Sequence, residues 1–174
     1  LGSHLLGAGF NKPIISPADC MRDVEFAWNM PTTAAYAFQG ANNLTHINLS
    51  RYMSEIAIGA FYDCKSLVSV NVPDPIKKIG DQAFYGCTNL TGEFIVSRGI
   101  RTIGDYAFNG CVNIIGFDIP EQVEELGEGV FYDCKGLLKF DIPENITVLS
   151  PRLFQGCTSL TTFEISESVI ELGS

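Results

Sequence analysis

Apolar positions recur along the chain with one long period. Phenylalanine stands at Phe38, Phe61, Phe84, Phe108, Phe131 and Phe154, at spacings of 23, 23, 24, 23 and 23 residues. Three residues after each comes Ala41, Cys64, Cys87, Cys111, Cys134 or Cys157, and three further on Leu44, Leu67, Leu90, Ile114, Leu137 or Leu160. An alternating apolar stretch then opens, as in Val70 and Val72 or Phe140 and Ile142, and Pro73, Pro120 or Pro143 often closes it. Alternation of this kind predicts a short half-buried strand. A second apolar pair follows at fixed offset: Ile76 and Ile79, Ile100 and Ile103, Val123 and Leu126, Ile146 and Leu149, Val169 and Leu172. A period of this length predicts a solenoid, in which each coil contributes about eight apolar side chains that only its neighbours can bury.

The turns repeat with the core. Gly40, Asp63, Gly86, Gly110, Asp133 and Gly156 sit between the Phe and the Ala or Cys of each unit, and these residue types tolerate positive φ, so a tight turn is expected there. The one 24-residue unit needs an extra residue, and Gly92 is the natural place for a bulge. Backwards, Met21, Val24, Phe26 and Met30 lie 23 residues before Leu44, Ile47, Leu49 and Met53, which reads as a degenerate first coil. A rival reading makes this a capping helix, with Ser16 as N-cap, Pro17 at its first position and Asp19 three residues after the cap. Residues 1–15 are then an N-terminal lead-in or cap, and 16–174 a solenoid of six full-register closures with a truncated last coil, whose edge is uncapped unless more chain or another molecule covers it. The chain opens on Leu1 and closes on Leu172-Gly173-Ser174, and is read as a segment whose targeting signals lie outside it.

The unit Leu67-x-x-Val70-x-Val72-Pro73-x-x-Ile76-x-x-Ile79-Gly80-x-x-Ala83-Phe84-x-Gly86-Cys87 resembles the BspA-like, or Treponema pallidum type, leucine-rich repeat, and the likeness covers residues from about 16 to 174. The resemblance implies an α/β-class, β-rich leucine-rich repeat solenoid: right-handed and horseshoe-like, with short parallel strands, turns and short helical turns. It also implies a secreted or cell-surface protein of bacteria or parasitic protists that binds host proteins or other cells. No catalytic residue carries over from such a family.

Composition narrows the function. Of 174 residues 46% are hydrophobic and 18% charged, with 17 Gly and 8 Pro, which excludes a disordered, collagen-like or coiled-coil chain. The net charge of -9 and a pI near 4.6 argue against nucleic acid or anionic lipid as the main partner. No apolar run reaches the roughly 18 residues of a membrane span, so no membrane insertion is expected of this segment.

Candidate chemistry is sparse. The five register cysteines lack the Cys-x-x-Cys spacing of a metal site and point into the core in parallel, so they read as buried free thiols. Cys20, outside the register, reads as a core or cap thiol. His4 and His46 have no Ser, Cys or Asp at a recognisable spacing, so no enzyme, cofactor or metal is expected. Strand alternation puts two outward rows on the concave face. The first holds His46, Ser69, Glu93, Gly116, Lys139 and Thr162; the second holds Asn48, Asn71, Ile95, Asp118, Asp141 and Glu164. The acidic end of the second row reads as a solvated ladder, a contact for a basic partner, or, without any EF-hand-like loop, a calcium site. A row behind the phenylalanines, Gln39, Tyr62, Tyr85, Asn109, Tyr132 and Gln155, reads either as rings covering the turn between coils or as a recognition stripe for protein or glycan. Four Asn-x-Ser/Thr sequons, at Asn43, Asn48, Asn89 and Asn145, matter only in a host that glycosylates.

These readings converge on a non-catalytic adhesion or protein-binding module that recognises a partner, such as a host extracellular or cell-surface protein, through an extended face. The alternative is a spacer or stalk within a larger surface protein. Asn48, Asn71, Asp118, Asp141, Glu164, Lys139, His46, Tyr62, Tyr85 and Tyr132 are the candidate contacts.

Overall fold

A computed structural model describes residues 23–25 and 31–173. The lead-in 1–15, the helix start at Ser16, and Cys20 and His4 lie outside the described residues. The strands in chain order are β1 (Asp23–Glu25), β2 (His46–Asn48), β3 (Glu55–Ile56), β4 (Ser69–Asn71), β5 (Lys78–Ile79), β6 (Gly92–Ile95), β7 (Thr102–Ile103), β8 (Ile114–Asp118), β9 (Glu125–Leu126), β10 (Lys139–Asp141), β11 (Val148–Leu149), β12 (Thr162–Glu164) and β13 (Glu171–Leu172). Longer strands alternate with two-residue strands, and every pairing is parallel.

The pairing follows the sequence period. Val24 lies opposite Ile47 and Ile47 opposite Val70; Phe94 meets Phe117 and Phe140 meets Phe163. The short strands form their own ladder, β3-β5-β7-β9, in which Ile56, Ile79, Ile103 and Leu126 succeed one another and are buried. One continuous core results. The Phe rings stack along it: Phe38–Phe61, Phe61–Phe84 and Phe84–Phe108 each have centroids 5.3 Å apart with planes within 12° of parallel. Strand phenylalanines meet this stack edge-on, as Phe94 and Phe117 do against Phe108 at 4.8 and 4.9 Å. Such offset and edge contacts suit the ring quadrupole.

The closing segment of each coil departs from the expected short helical turns: the described residues show turns there and no helix. Alternate amides explain why. Ala37 and Gln39 donate backward within their coil, to Ala34 and Tyr36, while Tyr36, Phe38 and Gly40 donate sideways to Ile58, Ala60 and Tyr62 of the next coil. A helix would need all of these amides for itself. The alternation is enabled by two left-handed residues per coil. One set is the anticipated Gly40, Asp63, Gly86, Gly110, Asp133 and Gly156; the other, Tyr36, Gly59, Gln82, Tyr106, Gly129 and Arg152, precedes it by four positions.

Gly92 has φ of +80° and the β6–β8 register shifts between Gly92 and Glu93, so the extra residue of the long unit is a bulge. Close approach decides Gly99, where a Cβ would stand 1.6 Å from the Asp74 carbonyl oxygen and 2.6 Å from that of Ile76. Neither is a flexible side-chain end. Gly99→Ala is therefore expected to cost about 1–3 kcal/mol or more through forced backbone movement, read as a lowered urea midpoint; an unchanged midpoint would contradict this packing.

Candidate functional site

Strand pleating sets the outward face. In β2, β6 and β10 the residues flanking the central inward side chain are exposed: His46 and Asn48 around Ile47, Glu93 and Ile95 around Phe94, Lys139 and Asp141 around Phe140. Parallel register then aligns the rows. His46 stands beside Ser69, Asn48 beside Asn71, Lys139 beside Thr162 and Asp141 beside Glu164. Asp118 is exposed at the end of β8, opposite Ile95, whereas Gly116, expected in the outward row, is buried beneath the Glu93 side chain. The Glu164 side chain lies outside the described residues. A groove of about 1120 Å³ runs across β2, β4, β6 and β8, lined by His46, Asn48, Asn71, Glu93, Ile95 and Asp118 among others. Of the candidate contacts, His46, Asn48, Asn71 and Asp118 share this groove; Lys139 and Asp141 continue the same face beyond it.

Charge is unevenly distributed. Residues 116–174 hold 11 Asp and Glu against 3 Lys and Arg, a net -8 of the chain's -9, and the remaining 115 residues hold 9 against 8. The exposed face thus grades from neutral amides at Asn48 and Asn71 to carboxylates at Asp118 and Asp141. His46 is exposed, with its Nδ1 3.0 Å from the Thr45 hydroxyl.

The tyrosines sit on the turn side, away from that groove. Tyr62 and Tyr85 are half-buried, their rings parallel within 1° and 4.6 Å apart. Tyr62 and Tyr132 also meet Tyr36 and Tyr106 at 6.2 and 6.3 Å. Burial against these neighbours and the Tyr85 and Asp63 charges pushes the Tyr62 phenol up. Tyr106, unremarked in the sequence, donates its hydroxyl to Glu128, and Arg152 donates to both, at 3.2 Å to Tyr106 and 2.7 Å to Glu128. The signal for this second row was its period alone, since its members share no side-chain chemistry. Ring faces that cover each other or a glycine, as Tyr36 and Tyr106 cover Gly59 and Gly129, are unavailable to a sugar ring.

The five register cysteines are free; four are buried and Cys157 is half-buried. Each thiol lies within hydrogen-bonding reach of the Phe carbonyl of the preceding coil, at 2.9 to 3.2 Å, from Cys64 on Phe38 to Cys157 on Phe131. They are thus weak donors as well as small apolar fillers. Burial pushes the Cys64 thiol up to about 12 and the Cys157 thiol to about 11, and raises Cys87, Cys111 and Cys134 strongly. Burial thus favours the protonated thiol at all five positions, the form that is the weaker nucleophile and ligand. Among the described residues no group of three or more His, Cys, Asp or Glu could hold a metal ion, and no helix is long and apolar enough to cross a membrane.

Comparison with known proteins agrees with this architecture. A family model described as the BspA type leucine rich repeat region, in six copies, matches residues 18–137 and 91–174. The solved leucine-rich repeat protein of T. pallidum is similar with a TM-score of 0.77 and 28% identity, over 87% of this chain and 69% of its own. A leucine-rich repeat protein from Bacteroides ovatus is similar with a TM-score of 0.65 and 26% identity, again over 87% of this chain; the chain spans 47% of that protein. The pneumococcal vaccine antigen PcpA, at 19% identity and a TM-score of 0.52, covers 88% of this chain and 36% of its own and shares the fold. No curated protein matches the sequence. With the family match spanning nearly all of a parallel solenoid built of coils of about 23 residues, this chain belongs to the BspA-type leucine-rich repeat family.

Proposed function

We propose that the chain is a non-catalytic binding module of a secreted or cell-surface protein, and that it captures an extracellular protein partner through the outward face of its longer strands. The observation that carries this reading is the groove over β2, β4, β6 and β8, where exposed, chemically varied side chains line an open volume of about 1120 Å³. A spacer needs only inward positions, which stack coil on coil; a graded outward row from Asn48 to Asp141 adds nothing to stacking. Family membership supports the same reading, because leucine-rich repeat scaffolds generally mediate protein interactions without catalysis.

Charge steering makes the acidic end the part that selects a basic partner. Reversal of Asp118, Asp141 and Glu164 to Lys is expected to abolish retention of host extracellular proteins on the immobilised chain while leaving its thermal midpoint within a few degrees. A parallel Tyr62, Tyr85 and Tyr132 to Ala set is expected to lower the midpoint with less effect on retention by the folded fraction. If the charge reversal retains the same proteins as the natural chain, the spacer reading replaces this one.

A further inference from the structure

The ladder of the longer strands is interrupted in the middle of the groove. β1, β2 and β4 form one sheet, β6 and β8 another and β10 and β12 a third, so pairing is absent between β4 and β6, inside the groove, and also between β8 and β10 at its edge. Of all neighbouring strands on this face, β4 and β6 approach each other least. On either side the coils are joined by Leu49 N–H to Asn71 O at 3.2 Å and Val96 N–H to Asp118 O at 3.0 Å; among the described residues the equivalent bond from Val72 to Ile95 is missing, as is that from Ile119 to Asp141 beyond the groove. The extra residue of the long unit, Gly92, opens β6, one of the two strands that border the gap.

The gap changes what the surface offers. Ile47, Phe94, Phe117 and Phe140 are buried at the central inward position, but Val70, on the gap side, is only half-buried. On the far lip Ile95, 69% exposed, occupies an outward register position that holds Asn, Asp or Glu in the other described coils. Around this apolar slot stand Asp74, Glu93, Asp118 and Glu121, against Arg98 and His46. The far wall is fixed: the Arg101 guanidinium donates to the carbonyls of Arg98, Gly99 and Ile100, and the Ser97 hydroxyl donates to Pro73 O.

We infer that the β4–β6 gap is a docking slot for an extended basic peptide segment of the partner. One aliphatic side chain of that segment seats between Val70 and Ile95, and flanking Lys or Arg side chains meet the carboxylates on the lips. Apolar contact at the centre supplies residence, and the carboxylate rim selects the sign of the partner and fixes its register. The inference rests on the reading that this face binds protein, and it names which chemistry binds and where.

The test is fluorescence anisotropy of the whole chain with a short labelled peptide of Lys and Ser carrying one central Leu. The same peptide with Ser at the centre is expected to bind about tenfold more weakly or worse, the scale of losing one buried aliphatic side chain. A version with Glu in place of Lys is expected not to bind. Ile95→Asn is expected to lower affinity for the Leu peptide by a similar factor and to leave the Ser-centred peptide unaffected, whereas Val148→Asn, on the short-strand side, changes neither. Equal binding of the Leu and Ser peptides to the natural chain overturns the slot, as does equal binding of the Leu peptide to Ile95→Asn. Loss of protein retention on reversal of Asp118, Asp141 and Glu164 with no Leu preference overturns the slot alone; absence of both effects overturns the binding reading with it.

Discussion

Replacement of Phe108 by Ala is expected to destabilise the chain by about 3–5 kcal/mol, the range for a fully buried Phe. Phe108 is wholly buried and holds together two interfaces at once. It stacks on Phe84 at 5.3 Å and on Phe131 at 6.3 Å, and takes the edges of Phe94 and Phe117. In a repeat array each coil is held only by its neighbours, so a cavity here weakens the coils on both sides. Domains of ordinary stability have about 5–15 kcal/mol in total, and the loss takes much of it. Urea unfolding followed by circular dichroism checks this. The variant should unfold at much lower urea, with the array separating into two transitions about the missing ring. Phe163→Ala, at a ring already 36% exposed, should cost far less. Equal costs at the two sites would mean that the stack is not continuous.

The second large effect is alkaline lability. An unfolded cysteine ionises near pH 8.5, but burial holds Cys64 up to about 12 and raises Cys87, Cys111 and Cys134 in the same direction. Above the unfolded value, the unfolded chain releases protons that the native chain keeps, so stability falls as pH rises. It is fully present below about pH 8.5 and declines by about 1.4 kcal/mol per pH unit for each such thiol until its folded value is reached. Four buried thiols make the decline steep. Cys157, partly solvated and raised only to about 11, adds less. Tyr62, raised by burial, contributes with the same sign at higher pH. Urea midpoints should be level between pH 6 and 8, within about half a unit below the free thiol value, and fall sharply by pH 10. Cys111→Val should remove about one thiol's share of the slope. A flat profile, or a slope unchanged in the variant, would contradict burial of the thiols.

Much of this architecture was legible in the sequence because the repeat constrains inward positions most. Phe61, Cys64, Leu67 and Ile76 recur at fixed offsets since each must meet its counterpart one coil away, and the left-handed turn residues Gly40 and Asp63 announce themselves by type. The second left-handed position was not legible: Tyr36, Gln82 and Arg152 are poor advertisements for positive φ, and only the sideways amide bonds reveal why they adopt it. The thiol-to-carbonyl contacts depend on coil spacing, which no residue type encodes. Gly92 marked the bulge, but the gap between β4 and β6, beside which Val70 is only half-buried, appears only when both strands are placed. Outward residues such as Asn48 and Asp118 could be assigned to a face by parity. Their use could not be read the same way, because stacking leaves them free to vary.

The most direct measurement of the central claim is photocrosslinking from both sides of the solenoid. A benzophenone amino acid placed at Ser69, in the groove, and separately at Gln155, on the turn row, would be irradiated with host extracellular proteins. Recognition through the longer-strand face predicts adducts from Ser69 and none from Gln155. Adducts from Gln155 with none from Ser69 would contradict it.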